Sequence, residues 1–241
     1  PQELALALDE RAMKLSVDVG EEDTTIRLSV MKDDWERGLE MLEEILLRPA
    51  FDGEILRVAK EQAVSELKRQ GESARTVAMR EAMIWHFKGH PYGRDPLKGL
   101  ETIPLITKED LTAFLETYFV PSNMVLSVAG DVDKAAALES LTRLIRALPQ
   151  RKAPVRALEA PPPTGPVLAL IHKPGQMQSQ VALALRSVQR THPDYWKISL
   201  LMNLFGGSDS LLYTRLREEL GLVYAAFFSE TAKWKAGMLL G

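Results

Sequence analysis

The sequence predicts an α+β fold, on three observations. Helix-like and strand-like stretches are mixed along the chain but do not alternate strictly, which disfavours a doubly wound parallel sheet. Apolar residues recur at the helical period in several long segments, and short β-prone runs stand between turn signals elsewhere. One stretch rich in proline and alanine, "PQRKAPVRALEAPPPTGP" from Pro149 to Pro166, lacks any periodicity and divides the chain. Proline fixes φ and removes backbone donors, so this stretch is expected to be an extended linker.

The elements follow in order. "QELALALDERAM" reads as an amphipathic helix and "KLSVDVGEEDTTIRLSV" as a hairpin turning at "GEED". "DDWERGLEMLEEILLRP" is a helix with an aspartate cap and a proline stop, and the long helix "DGEILRVAKEQAVSELKRQ" comes after it. An irregular segment, "GHPYGRDPLKG", leads to the capped helix "TKEDLTAFLETYF", the strand "NMVLSVAGDV" and the helix "DKAAALESLTRLIRAL". Beyond the linker, "PVLALIHKPG" and "SQVALALRSV" read as strands and "HPDYWKISLLMNLFGG" as a helix. The last motif, "TRLREELGLVY", reads as a helix with Leu212, Leu216 and Leu220 in register, a glycine stop at Gly221, and the start of a strand, "LVYAAFF". These folding requirements do not call for the guanidinium of Arg217 or the hydroxyl of Tyr224.

Composition narrows the function classes. The 241 residues carry a net charge of −3 from 30 basic and 33 acidic side chains, with no basic patch, which argues against a nucleic-acid partner. There are no cysteines, so thiolate metal sites and cysteine nucleophiles are excluded. No apolar run approaches the roughly 20 residues of a membrane span.

The four histidines offer little chemistry. His86 and His90 have a helical ligand spacing, but Gly89 and Pro91 flank His90 and argue that the helix has ended. His172 and His192 have no evident partner. Glu66 is more notable. On a helical wheel it falls within the apolar arc of Ile55, Leu56, Ala59, Ala63 and Leu67, where a bare carboxylate needs a charge partner or a metal. The alternative is a glutamate at the edge of the arc, reaching water or an arginine.

The stretches "LSVMKDDWERGLEMLEEILLRPAFD", "AVSELKRQ", "GHPYGRDPLKGLETI", "YFVPSNMVLSVAGDVD" and "HPDYWKISLLMNLFGGSDSLLYTRLREELGLVYAAF", in this order, resemble the M16 zinc metallopeptidases. That family includes insulinase, pitrilysin and the mitochondrial processing peptidase, and the similarity is greatest to its bacterial processing-peptidase-like group. The resemblance implies two related α+β halves, each a mainly antiparallel sheet packed with helices and facing the other as a clamshell. Here they would be residues 1–150 and 167–241, joined by a linker at 151–166, with both halves incomplete.

The resemblance also implies a set of site residues. Glu66 in "AVSELK" matches the third zinc ligand, whose partners lie in an inverted His-x-x-Glu-His helix. This chain contains no such motif, and counting back places it upstream of Pro1. Ala59 stands where many members carry a second glutamate. Arg217 and Tyr224 match an Arg and a Tyr, seven apart, that reach the zinc site from the second half. The Arg would orient the scissile carbonyl, and the phenol would donate to the developing oxyanion. Lys14, Leu15, Ser16, Val17, Asp18 and Val19 match an edge strand that binds substrate by main-chain pairing. The implied activity is a zinc endopeptidase acting on peptides or small unfolded proteins. The alternative is a non-catalytic partner subunit that lends Arg217 and Tyr224 to a zinc-bearing chain, or serves as scaffold. A homodimer or heterodimer with a second M16 chain is implied, and the compartment is left between bacterial cytoplasm and periplasm.

Overall fold

The computed structural model describes residues 2–154, 158–162, 165–207 and 209–241. It is a mixture of helices and small antiparallel sheets, divided into two compact units: Pro1–Lys60 with Leu105–Arg156, and Glu61–Pro104 with Ala157–Gly241.

In the first unit, α1 (Gln2–Asp9) precedes the hairpin β1 (Lys14–Val19) and β2 (Thr24–Ser29), paired antiparallel from Lys14↔Ser29 to Val19↔Thr24. The Gly20 N–H closes the expected turn onto the Asp23 carbonyl at 2.8 Å. Next comes α2 (Trp35–Leu47), which buries Leu39, Met41 and Leu46. Asp34 stands at its N-cap without making a cap bond; its carboxylate is taken by Arg11 at 2.5 Å. After α2 the long helix α3 (Gly53–Glu72) begins.

Helix α7 (Lys134–Ala147) packs on α2 in this unit. It buries Ala137, Ser140 and Leu144, and Ser140 donates to Glu36 at 2.5 Å while Arg143 also binds that carboxylate. The smaller helix α6 (Lys108–Tyr118) starts with a complete capping box. The Asp110 N–H donates to Thr107 Oγ1 at 3.2 Å, and the Thr107 N–H donates to Asp110 Oδ2 at 2.8 Å.

The second unit contains an element that the sequence reading misses, α4 (Ala74–His86), whose Ser73 cap accepts from the Thr76 N–H at 3.2 Å. Apolar residues surround this helix (Val77, Met79, Met83 and Ile84 among them), so no single stripe marks it. It ends at His86, so His90 lies outside the helix as Gly89 and Pro91 led one to expect, with Gly89 at φ +80°. A one-turn helix, α5 (Gly99–Thr102), follows the irregular segment.

The sheet of this unit has the order β3 (Ala184–Ser187), β5 (Gly237–Leu240), β4 (Ser229–Ala232), with both pairings antiparallel. Helix α4 lies against β3, and Phe87, Tyr92, Ala236, Met238 and Leu240 form the core with Met79, Ala82 and Met83. Lys233 is buried beside these rings, its ammonium 4.8 Å from the centroid of Tyr92. Helix α8 (Tyr195–Gly206) packs on β4 and is followed by the single turn α9 (Leu211–Tyr213).

Four strand expectations are corrected. Residues 124–129 of "NMVLSVAGDV" and residues 166–171 of "PVLALIHKPG" have no ladder partner among the described residues, and "SQVALALRSV" is a strand only over Ala184–Ser187. "LVYAAFF" is likewise not paired; β4 begins after it, at Ser229. β-propensity expresses fit to neighbouring strands, and these runs meet none here. Within the expected linker, Val155, Arg156, Ala157, Pro163 and Thr164 lie outside the described residues, and 151–154 carries no regular structure. Among the described residues, no helix is long and apolar enough to cross a membrane.

Candidate functional site

The segment carrying Arg217 continues α9 but widens into a π-helical turn, Thr214–Glu219. The α-helix expected through Leu220 is therefore interrupted. The Leu220 N–H reaches back five residues to the Arg215 carbonyl at 3.2 Å, and the Leu222 N–H six residues to Leu216 at 2.9 Å. The cap of this segment is Ser210, a buried hydroxyl that accepts from the Tyr213 N–H at 3.1 Å. The glycine stop is where the sequence puts it: Gly221 has φ +61°, the left-handed conformation that ends helices.

This turn brings Arg217 and Tyr224 together. Arg217 Nη1 donates to the Val223 carbonyl at 3.3 Å, and the guanidinium carbon lies 5.5 Å from the centroid of the Tyr224 ring. Tyr224 is 83% exposed, and its hydroxyl has no hydrogen-bond partner among the described residues. Three residues further on, the Arg75 guanidinium stacks 4.6 Å over the Phe227 ring and ties the outgoing chain to the start of α4.

Glu66 lies on the second part of α3, and its environment differs from the wheel expectation. The apolar arc is only partly covered: α3 fully buries no residue, Ile55 and Ala59 face solvent, and Leu56, Ala63 and Leu67 are half-buried. The Glu66 carboxylate is held by Arg69, whose Nε donates at 3.2 Å, and by Gln70 Nε2 at 3.4 Å. The arginine-bound alternative is therefore the arrangement found. Arg69, and then Gln70, hold the carboxyl below the usual range, so it is ionised at neutral pH.

Zinc is the metal the resemblance implies, and the donor set does not complete a site for it. Among the described residues no group of three His, Cys, Asp or Glu side chains is placed to hold a metal ion. Zinc needs three or four such ligands, and Glu66 supplies one.

His90 and His192 make hydrogen bonds to the backbone. His90 Nε2 donates to the Glu159 carbonyl at 2.9 Å, and its Nδ1 accepts from the Tyr92 N–H at 3.2 Å. His192 Nδ1 accepts from the Asp194 N–H at 3.1 Å. Lys14–Val19 is β1 of the first unit, a strand paired on one edge to β2 and carrying no partner on the other among the described residues. An open groove of about 950 Å³ between α4 and residues 165–186 contains none of Glu66, Arg217 and Tyr224. The sequence gives no sign of the π register, because Leu212, Leu216 and Leu220, four apart, fit an ordinary α-helix.

Comparison with known proteins bears on the fold and on the family. A family model described as "Peptidase M16 inactive domain" matches residues 105–239, more than half of the chain. An uncharacterized zinc protease of Mycobacterium leprae is 24% identical over 231 residues, covering 93% of this chain and 51% of the relative. A "Non-peptidase homolog" of Helicobacter pylori is 25% identical over 243 residues, covering 98% and 55%. A probable mitochondrial-processing peptidase subunit beta of Arabidopsis thaliana is 23% identical over 188 residues, covering 77% and 35%. Among solved structures, the peptidase M16 inactive domain from Pseudomonas fluorescens superposes with a TM-score of 0.84 at 23% identity, covering 98% of this chain and 58% of that one. The chain spans about half the length of the curated relatives it matches.

Proposed function

The chain belongs to the peptidase M16 family, and from that premise we propose that it is part of a zinc-dependent endopeptidase that cleaves peptides or small unfolded proteins in a closed chamber. The observation that carries this reading is the Arg217–Tyr224 pair: a planar fork and an unengaged phenol brought together across a glycine turn, with the phenol facing solvent. Residues 1–150 and 167–241 would then belong to the two related halves.

In this reading Glu66 contributes one carboxylate to a zinc centre completed by residues outside this chain. Zinc would supply the Lewis acid and activated water. Arg217 orients the scissile carbonyl through its fork, which an ammonium cannot reproduce. The Tyr224 hydroxyl donates to the oxygen that becomes negative in the transition state. The free edge of β1 takes substrate as an added strand, and main-chain hydrogen bonding of this kind depends little on side chains. Isolated, the 241-residue chain should not hydrolyse peptides, because it lacks a complete metal site.

A second reading has its own support in the relative named a non-peptidase homolog and in the description of the matched family model. The chain would then be a partner subunit in a homo- or heterodimer with another M16 chain, lending it Arg217 and Tyr224 or acting as scaffold.

Steady-state kinetics on an internally quenched peptide test the catalytic role of the pair. In the complete protein, with its partner subunit if it has one, Tyr224→Phe should lower kcat by roughly 10²–10³-fold with KM and Tm little changed. Arg217→Lys should also impair turnover. If Tyr224→Phe cleaves within about twofold of the parent, the role assigned to the pair is wrong.

A further inference from the structure

We infer that Gly221 is a positioning residue: its left-handed backbone, coupled to the π-helical turn before it, is what sets the Tyr224 ring against the Arg217 guanidinium. The inference rests on the proposed roles of those two side chains and adds a third residue to the site.

Glycines in this fold serve two different purposes. At Gly206 and Gly237 an added Cβ would lie 1.7 Å from the Phe228 carbonyl oxygen and 2.0 Å from that of Val188, so glycine is needed there for space. At Gly221 an added Cβ would meet nothing within 4 Å. Space does not explain this glycine; its φ of +61° does, because residues with a Cβ rarely adopt that conformation.

The reversal that Gly221 makes is matched to the turn before it. In the usual helix ending with a left-handed residue, the N–H just beyond that residue bonds a carbonyl five positions back. Here Leu222 bonds Leu216, six positions back, and the extra residue is the one accommodated by the π turn. The returning chain then delivers two contacts to one side chain. The Val223 carbonyl accepts from Arg217 Nη1, and the Tyr224 ring lies under the same guanidinium. Reversion to an α register would rotate Arg217 by about 100° relative to the returning chain and separate the pair. π-helical turns are frequent at functional sites, consistent with such a role.

The test uses the 241-residue chain and does not depend on activity. A guanidinium over a phenol ring has side-chain protons shifted upfield by the ring current, and this shift should vanish in Tyr224→Leu. Gly221→Val should lose the shift while the amides of β3, β4 and β5 stay dispersed. Gly221→Asn should retain it, because asparagine tolerates the left-handed region. If Gly221→Val fails to fold, Gly221→Ala takes its place, since its Cβ has open space. Persistence of the shift in the Val or Ala variant overturns the inference, as does its loss in Gly221→Asn or its absence from the parent. Turnover of the complete protein separates this result from the catalytic reading. Gly221→Val should lower kcat on the order of 10²-fold, the scale of a misplacement of about 1 Å, and Gly221→Asn should restore it. A lost ring-current shift with unaltered turnover in both Gly221→Val and Tyr224→Phe would leave the geometry standing and overturn the catalytic role.

Discussion

His86 and Glu66 show how a single side chain responds to its surroundings. His86 closes α4 beside the Phe87 ring, with the centroids 4.6 Å apart and the planes nearly perpendicular. Burial, aided by the charge of Arg186 and opposed by a hydrogen bond with the Gly237 backbone, lowers its pKa from the ordinary 6.5. The folded state therefore binds a proton at His86 less readily than the unfolded chain does. Its contribution to stability is complete above the unfolded pKa and is lost as pH falls through the folded pKa. The Tm of the parent should consequently drop more steeply than that of His86→Gln between about pH 7.5 and 5.5; parallel profiles would show that His86 does not titrate on unfolding. Glu66 is already ionised at neutral pH, so in the proposed zinc centre it must exchange Arg69 for the metal rather than lose a proton. Glu66→Gln in the complete protein should lower the zinc content tenfold or more, on the scale known for perturbed metal sites. Unchanged zinc by elemental analysis would remove Glu66 from the ligand set.

At the scale of elements, local hydrogen bonding accounts for most boundaries. Thr107 and Asp110 start α6 with a reciprocal box, and Asp133 caps α7 by accepting from the Ala136 N–H at 2.9 Å. The sheet of the second unit depends instead on close backbone approach. Gly237 pairs with Ser187, and an added Cβ would fall 2.0 Å from the Val188 oxygen and 2.8 Å from its carbon. Those atoms belong to the neighbouring chain of the ladder and cannot move without loosening β3 from β5. Gly237→Ala should therefore destabilise by about 1–3 kcal/mol or more, read as a lower urea midpoint, although the same exchange at an unconstrained strand position is mild. An unchanged midpoint would mean that the ladder has room to shift.

On the scale of the molecule, the chain exposes 17432 Å² for 26.9 kDa. Two separate compact units of half that mass would together expose about 13,000 Å². Several large apolar side chains contribute to this exposure. Val125, Leu168 and Leu170 are exposed to 95%, 98% and 95%, in extended runs that lack ladder partners among the described residues, and α8 presents Trp196, Leu200 and Leu204 to solvent at successive turns. Unpaired apolar strands associate readily. The purified 241-residue chain should sediment above its monomer mass at micromolar concentration, and Leu168→Glu with Leu170→Glu should reduce that association. A monodisperse monomer in the parent would show that these runs are covered in solution.

The sequence by itself determined what closes within a few residues. The hairpin turn at Gly20, the cap at Thr107 and the left-handed stop at Gly221 are all bonded to near neighbours, so residue identity is enough to fix them. The family was legible for a related reason, since ordered motifs such as "GHPYGRDPLKGLETI" and "LREELGLVY" are strings of such local requirements. Tertiary structure decided the rest. The strand-prone runs at 124–129 and 166–171 have no ladder partner among the described residues because a strand exists only by virtue of its neighbour, and no local signal names that neighbour. The wheel placed Glu66 in an apolar arc, but an arc is buried only as far as other elements cover it, and α3 fully buries none of its residues. The meeting of Arg217 with Tyr224 belongs to both levels. A glycine at 221 requires the chain to turn, while the extra residue of the π turn, which fixes where the ring lands, is set by hydrogen bonds that the apolar spacing does not encode.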